Sequence, residues 1–131
     1  MAVALIAPLL ALAGCMGDNQ EAVSAETQAG LARALAGRTA GNPTSCLPPG
    51  PLLSTTKSYG KVLLYTLANG DLYANDTAGG CENRGDDIFV EVEHEGRACS
   101  GDIIHLVDRT SHIPTGSCAL GQFTPYPKVR R

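Results

Sequence analysis

Three histidines, a scatter of serines and a run of acids are the side chains in this sequence with chemistry to offer. His94, His105 and His112 stand among Ser100, Ser117, Asp102 and Asp108. A serine nucleophile, a histidine base and an orienting carboxylate make a hydrolytic triad, which is defined by geometry and not by chain order. No G-x-S-x-G turn, the device that lifts a serine out of a strand end, accompanies them. Each histidine reads as a strand or surface residue, so no catalytic residue is assigned. The acids of "GDD" and "EVE" could face a cation, but the ligand spacing of a calcium loop is missing. No C-x-x-C pair or tight Cys/His spacing of the zinc type occurs. No Gly-rich loop follows a strand, which removes the motif for nucleotide phosphates. Neither a metal nor a cofactor is expected.

The cysteines are more informative. The chain opens "MAVALIAPLLALAGCMGDNQ", and its apolar run ends at Leu12-Ala13-Gly14-Cys15. The run is shorter than the roughly 20 residues a bilayer span needs, and it has the length of a signal-peptide core. Its end resembles the lipobox of bacterial lipoproteins, a leucine and two small residues before an obligatory cysteine. The resemblance implies that residues 1–14 are a signal peptide and that Cys15 is the lipidation site. Several acyl chains there would anchor the protein stably where one binds reversibly. Met16 is not Asp, which by the lipoprotein sorting rule favours the outer membrane over the inner.

Removing Cys15 leaves Cys46, Cys81, Cys99 and Cys118, an even set. In an oxidising periplasm four cysteines in a small domain read as two disulfides. Three pairings exist. A strand and turn between Cys81 and Cys99 would bring those two together, and first and last segments of small β domains often lie side by side. Cys81–Cys99 with Cys46–Cys118 is therefore favoured, and Cys46–Cys81 with Cys99–Cys118 is the rival.

The chain has 131 residues, no Trp and two Phe, so a small core must rest on Leu, Ile, Val and Tyr. The net charge of −3 argues against nucleic acid as a partner, because such binding needs a basic surface to displace counterions. Acids crowd residues 82–95, and the tail "PKVRR" is basic. Both read as solvated surface.

The elements that must position these residues are mostly strands. Residues 15–45 read as a flexible or partly helical tether, with good helix formers in "EAVSAETQAGLARALAG" and Gly37 as a stop. Prolines from Pro43 to Pro51 then break any helix. In "KVLLYTLANGDLYAND" two β-rich runs flank Asn69-Gly70, the pair favoured in a two-residue type I′ turn. That turn would set Leu67 opposite Leu72 and Tyr65 opposite Ala74 on one face, with Thr66, Tyr73 and Asn75 on the other. "DIFVEVEHEG" alternates Ile88, Val90 and Val92 against Phe89, Glu91 and Glu93, as a half-buried strand would. "GDIIHLVDRT" and "GQFTPYP" complete five to six short antiparallel strands, the content of a small all-β barrel or sandwich stapled by disulfides. The division reads 1–14 signal peptide, 15–45 lipid-anchored tether, 46–127 β-rich disulfide domain and 128–131 basic tail.

The blocks "GRTAGNPTSC", "GGC", "RACSGDIIHLVD" and "GSCALGQFTPY" together resemble a family of small uncharacterised alphaproteobacterial lipoproteins. The resemblance covers about Gly37 to Tyr126 and implies an exported, lipid-anchored β-rich domain. It carries over no catalytic residue. Where a basic loop would be expected around the second of the four cysteines, this chain has the acidic "CENRGDD". The expected partners are the membrane, through Cys15, and an envelope protein or glycan. The function expected is non-enzymatic binding or support. The alternative is a small periplasmic hydrolase or metal-dependent enzyme using His and Asp side chains.

Overall fold

The computed structural model describes residues 18–50, 53–82, 86–94 and 96–130. The signal segment and Cys15 lie outside the described residues. Helix α1 (Asp18–Ala34) is followed by seven strands: β1 (Leu53–Tyr59), β2 (Val62–Leu67), β3 (Leu72–Asp76), β4 (Ile88–Glu91), β5 (Ile103–Val107), β6 (Pro114–Ala119) and β7 (Phe123–Tyr126). They form two antiparallel sheets, one ordered β1-β2-β3-β7 and the other β4-β5-β6, with no closed barrel among the described residues.

The core lies between the sheets. Leu63, Tyr65, Leu67 and Phe123 from the first sheet meet Ile104, Leu106 and Cys118 from the second, with Leu47, Ala98 and Leu120 closing the margins. Tyr65 and Phe123, the two largest fully buried side chains, meet edge to face with ring centroids 5.5 Å apart. Strand β2 is apolar on both faces for a reason. Its other side, with Leu64 buried, borders a cavity that Leu31 and Leu35 of the helical segment line together with Val62 and Ala74. Gly30 lets the helix approach, since a Cβ there would stand 3.2 Å from the Tyr59 ring. Gly37, at φ +75°, ends the helical segment as expected.

The β2–β3 hairpin differs from the two-residue turn. Thr66 pairs with Leu72, Tyr65 with Tyr73 and Leu63 with Asn75, a shift of one residue. The Leu67 N–H donates to Asp71 O, and the Gly70 N–H donates to Leu67 O. The loop is Ala68-Asn69-Gly70, a three-residue connection in which Gly70 alone has positive φ, at +90°. Asn69 accepts from the Asp71 N–H through its side chain, an Asx turn in place of a left-handed backbone. The shift turns Asn75 inward, fully buried, where it exchanges two hydrogen bonds with the backbone of Gly121 (2.9 and 2.8 Å).

Strand β4 turns Phe89 and Glu91 toward the interior. Phe89 stands opposite Leu106 and packs against the core, and Glu91 stands opposite Ile104. Val90 and Val92 point outward and are 42 % and 57 % exposed. Alternation alone cannot say which side is inside. The large Phe89 ring takes the core side and carries Glu91 with it.

The disulfides are Cys46–Cys99 and Cys81–Cys118, not the favoured pairing and not its rival. Residues 45–47 form a short ladder with 98–100, in which the Leu47 N–H donates to Ala98 O and the Ser100 N–H to Ser45 O. That ladder sets Cys46 opposite Cys99, with Cα atoms 4.0 Å apart. Cys81 instead leaves the first sheet after β3 and meets Cys118 within β6 of the second. The crossing is tight: a Cβ on Gly80 would collide with the Ser117 carbonyl oxygen, and one on Gly116 with that of Gly80. What brings the segments together is sheet-to-sheet crossing and not doubling back within one sheet.

The segment before Cys46 is held by the sheet. Arg38 donates to the carbonyls of Gly70 and Tyr126, the Gly41 N–H donates to Pro125 O, and Thr44 pairs with Phe123. The segment held by the sheet thus reaches back to Arg38.

Candidate functional site

The inward turn of β4 gathers titratable groups at one end of the sandwich. Glu91 comes from the last position of β4, with Glu93 and His94 just beyond it. Asp102 comes from the turn entering β5, and Tyr65 from the middle of β2.

Asp102 is the best-held member. It is buried, accepts from the Cys99 N–H at 2.8 Å, and lies 2.8 Å from His94 Nδ1. These bonds to the His94 ring and the Cys99 N–H hold its carboxyl below the usual carboxylate range. Its own backbone closes the turn, with its N–H on Cys99 O and its carbonyl accepting from Leu120. Asp102 thereby ties the Cys46–Cys99 staple to the end of β6.

Glu91 and Tyr65 are placed differently. Glu91 Oε1 and Tyr65 Oη are both buried and neither has a hydrogen-bond partner. Burial, with Glu93 and then Asp102 nearby, pushes the Glu91 carboxyl up to about 7. Burial, then the charges of Glu91, Asp102 and Glu93, also drives the Tyr65 hydroxyl far above its ordinary value. No sequence motif marks this pair. A glutamate in an alternating strand reads as solvent-facing, and only the direction of β4 reveals it.

The structure distributes the sequence candidates as follows. His94 and Asp102 are brought together, with Nδ1 of the imidazole bonded to the carboxylate. That is the orienting half of a triad. The serines stand apart in the fold: the Ser100 backbone N–H sits in the ladder with Ser45, and Ser117 lies exposed on β6 opposite His105. His105 is exposed on the outer face of β5. His112 ends a turn at φ 58°, in which Asp108 accepts from the Thr110 and Ser111 N–H groups and from Ser111 Oγ. Those three bonds lower the Asp108 carboxyl and make it a turn-former. Among the described residues, no group of three or more His, Cys, Asp or Glu is arranged to hold a metal ion.

The second sheet presents an apolar outer side. Val90, Val92 and Ile103 stand exposed there, with Ile88 and Val107 half-buried and His105 between them. Ile113, on the loop before β6, is 62 % exposed.

No protein-family model, curated protein or solved structure matches the chain.

Proposed function

We propose that this protein is a lipid-anchored module of the bacterial envelope that docks another envelope protein on the outer side of β4 and β5. The carrying observation is the exposure of Val90, Val92 and Ile103 together on one sheet face, an apolar patch of the kind that marks interaction sites. The anchor rests on "LAGC" at the end of the apolar run, with the outer membrane favoured by Met16. No helix among the described residues is long and apolar enough to cross a membrane.

Photo-crosslinkers placed singly at Val90 and Ile103 in intact cells test the face. The expected result is one discrete protein adduct shared by both positions. A probe at Thr56 on β1, an edge strand of the other sheet, is expected to give none. Equal labelling from all three positions would end this reading. Acyl labelling tests the anchor: Cys15→Ser is expected to lose the label and leave the precursor uncleaved.

The His94–Asp102 pair favours the hydrolase reading, and it has its own test. Turnover of ester, peptide or glycan substrates by the purified protein, lost on His94→Ala, would replace docking with catalysis.

A further inference from the structure

Glu91 stands on the inward side of a four-residue strand at the edge of its sheet, with β5 as its strand neighbour. Its position is opposite Ile104, which is 1 % exposed, and its Oε1 is buried with no protein donor. We propose that Glu91 is a proton-controlled latch: protonated, it lets the end of β4 lie against the interior, and ionised, it drives that end out to water.

The charges around the carboxyl make the two states differ. From β2, Tyr65 offers a hydroxyl that is itself unpartnered. From the chain beyond β4 comes Glu93, and from the entry to β5 comes Asp102, both of which oppose a second negative charge. The His94 ring is bonded to Asp102, and Arg97, which pairs with His94 across the turn, donates to the Leu47 carbonyl. His105 belongs to the outer face and does not look into the cluster. A carboxylate at Glu91 therefore meets two anions and a low-dielectric wall, whereas the neutral acid meets only the wall. Burial lifts the carboxyl to about 7, so the change falls within the neutral range.

The rest of the fold does not share this liability. β2 lies between β1 and β3, and Cys81–Cys118 fixes β6 to the first sheet. β4 carries neither a disulfide nor a second strand neighbour. Ionisation is therefore relieved by lifting the end of β4, with the two staples keeping the sandwich intact.

The test is carboxyl NMR and amide hydrogen exchange on the oxidised full chain. Glu91 is expected to titrate near 7. Protection of the β4 amides, corrected for intrinsic exchange, should fall by up to about tenfold for each pH unit between the ordinary carboxyl value of 4.5 and that midpoint and level off above it, while β2 amides hold. Glu91→Gln, an isosteric neutral side chain, should keep β4 protected across the same range. A Glu91 midpoint in the ordinary carboxylate range overturns the latch. So does an unchanged pH response in Glu91→Gln. The wild-type titration decides alone if that variant does not fold.

Discussion

Two buried polar side chains on neighbouring strands make opposite demands on the structure. Asn75 is fully buried and exchanges both amide bonds with the Gly121 backbone, so it joins β3 to the start of β7 as a strand neighbour would. Removing it leaves a donor and an acceptor of Gly121 without partners in the interior. Asn75→Ala is expected to cost about 2 kcal/mol or more, read from chemical denaturation midpoints. Tyr65 is equally deep but its hydroxyl has no partner. Tyr65→Phe keeps the ring against Phe123 and deletes only the unpaired oxygen. It is expected to leave stability unchanged or raise it by up to about 1 kcal/mol in the same assay. A loss comparable to that of Asn75→Ala would mean that the Tyr65 hydroxyl is satisfied in solution. Neither residue announces its role in the sequence. Asn75 sits in a polar "AND" at a strand end, and Tyr65 in a β-rich run where any aromatic residue suits.

At the scale of the element, the β2–β3 hairpin separates two turn chemistries. A type I′ turn would need positive φ at both Asn69 and Gly70, whereas the observed loop needs it at Gly70 alone. Gly70→Val should therefore destabilise by about 1 kcal/mol or more, since a β-branched residue resists the left-handed region. Asn69→Ala should lose only two exposed side-chain bonds to Asp71, about 0.5 kcal/mol together. Equal losses at the two positions, measured by thermal denaturation, would favour the mirror-image turn. The sequence located this hairpin, β4, β5 and β7 because apolar alternation and turn residues both mark them. It hid β1 and β6. "LSTTKSY" is an edge strand with little apolar content, and "PTGSCA" carries a proline and a glycine that suit an edge and a close crossing. Direction was harder to read than existence. "IFVEVE" alternates cleanly, but both alternate faces carry apolar residues, and only Phe89 against Leu106 decides between them. That one choice determines whether Glu91 reads as surface or as the latch.

For the whole molecule, pH and redox state act on different joints. Glu91 is raised on folding, so its contribution is present below its ordinary value of 4.5 and is lost as pH rises through about 7. Asp102 is lowered, so its contribution is present above its ordinary value of 3.8 and is lost as pH falls through its lowered value. The two losses bracket a stability maximum in mildly acidic solution, which thermal denaturation across pH should locate. Glu91→Gln should extend that maximum toward neutral pH. Reduction should be stepwise as well. In the chain-entropy picture loops of 37 and 53 residues each stabilise by about 4 kcal/mol, comparable to the whole margin of so small a domain. Equal worth does not mean equal access. Cys81 and Cys118 are 0 % and 5 % exposed inside the sandwich, whereas Cys46 and Cys99 are half-buried at its margin. A thiolate must reach a sulfur to attack it, so accessibility sets the order. Under mild reductant Cys46 and Cys99 should take up an alkylating label first, while Cys81 and Cys118 stay linked until the sandwich opens. Mass spectrometry of timed, alkylated samples reads this directly. Label appearing on Cys81 and Cys118 ahead of the other pair would mean that the loop after β3 opens more readily than the ladder joining residues 45–47 to 98–100.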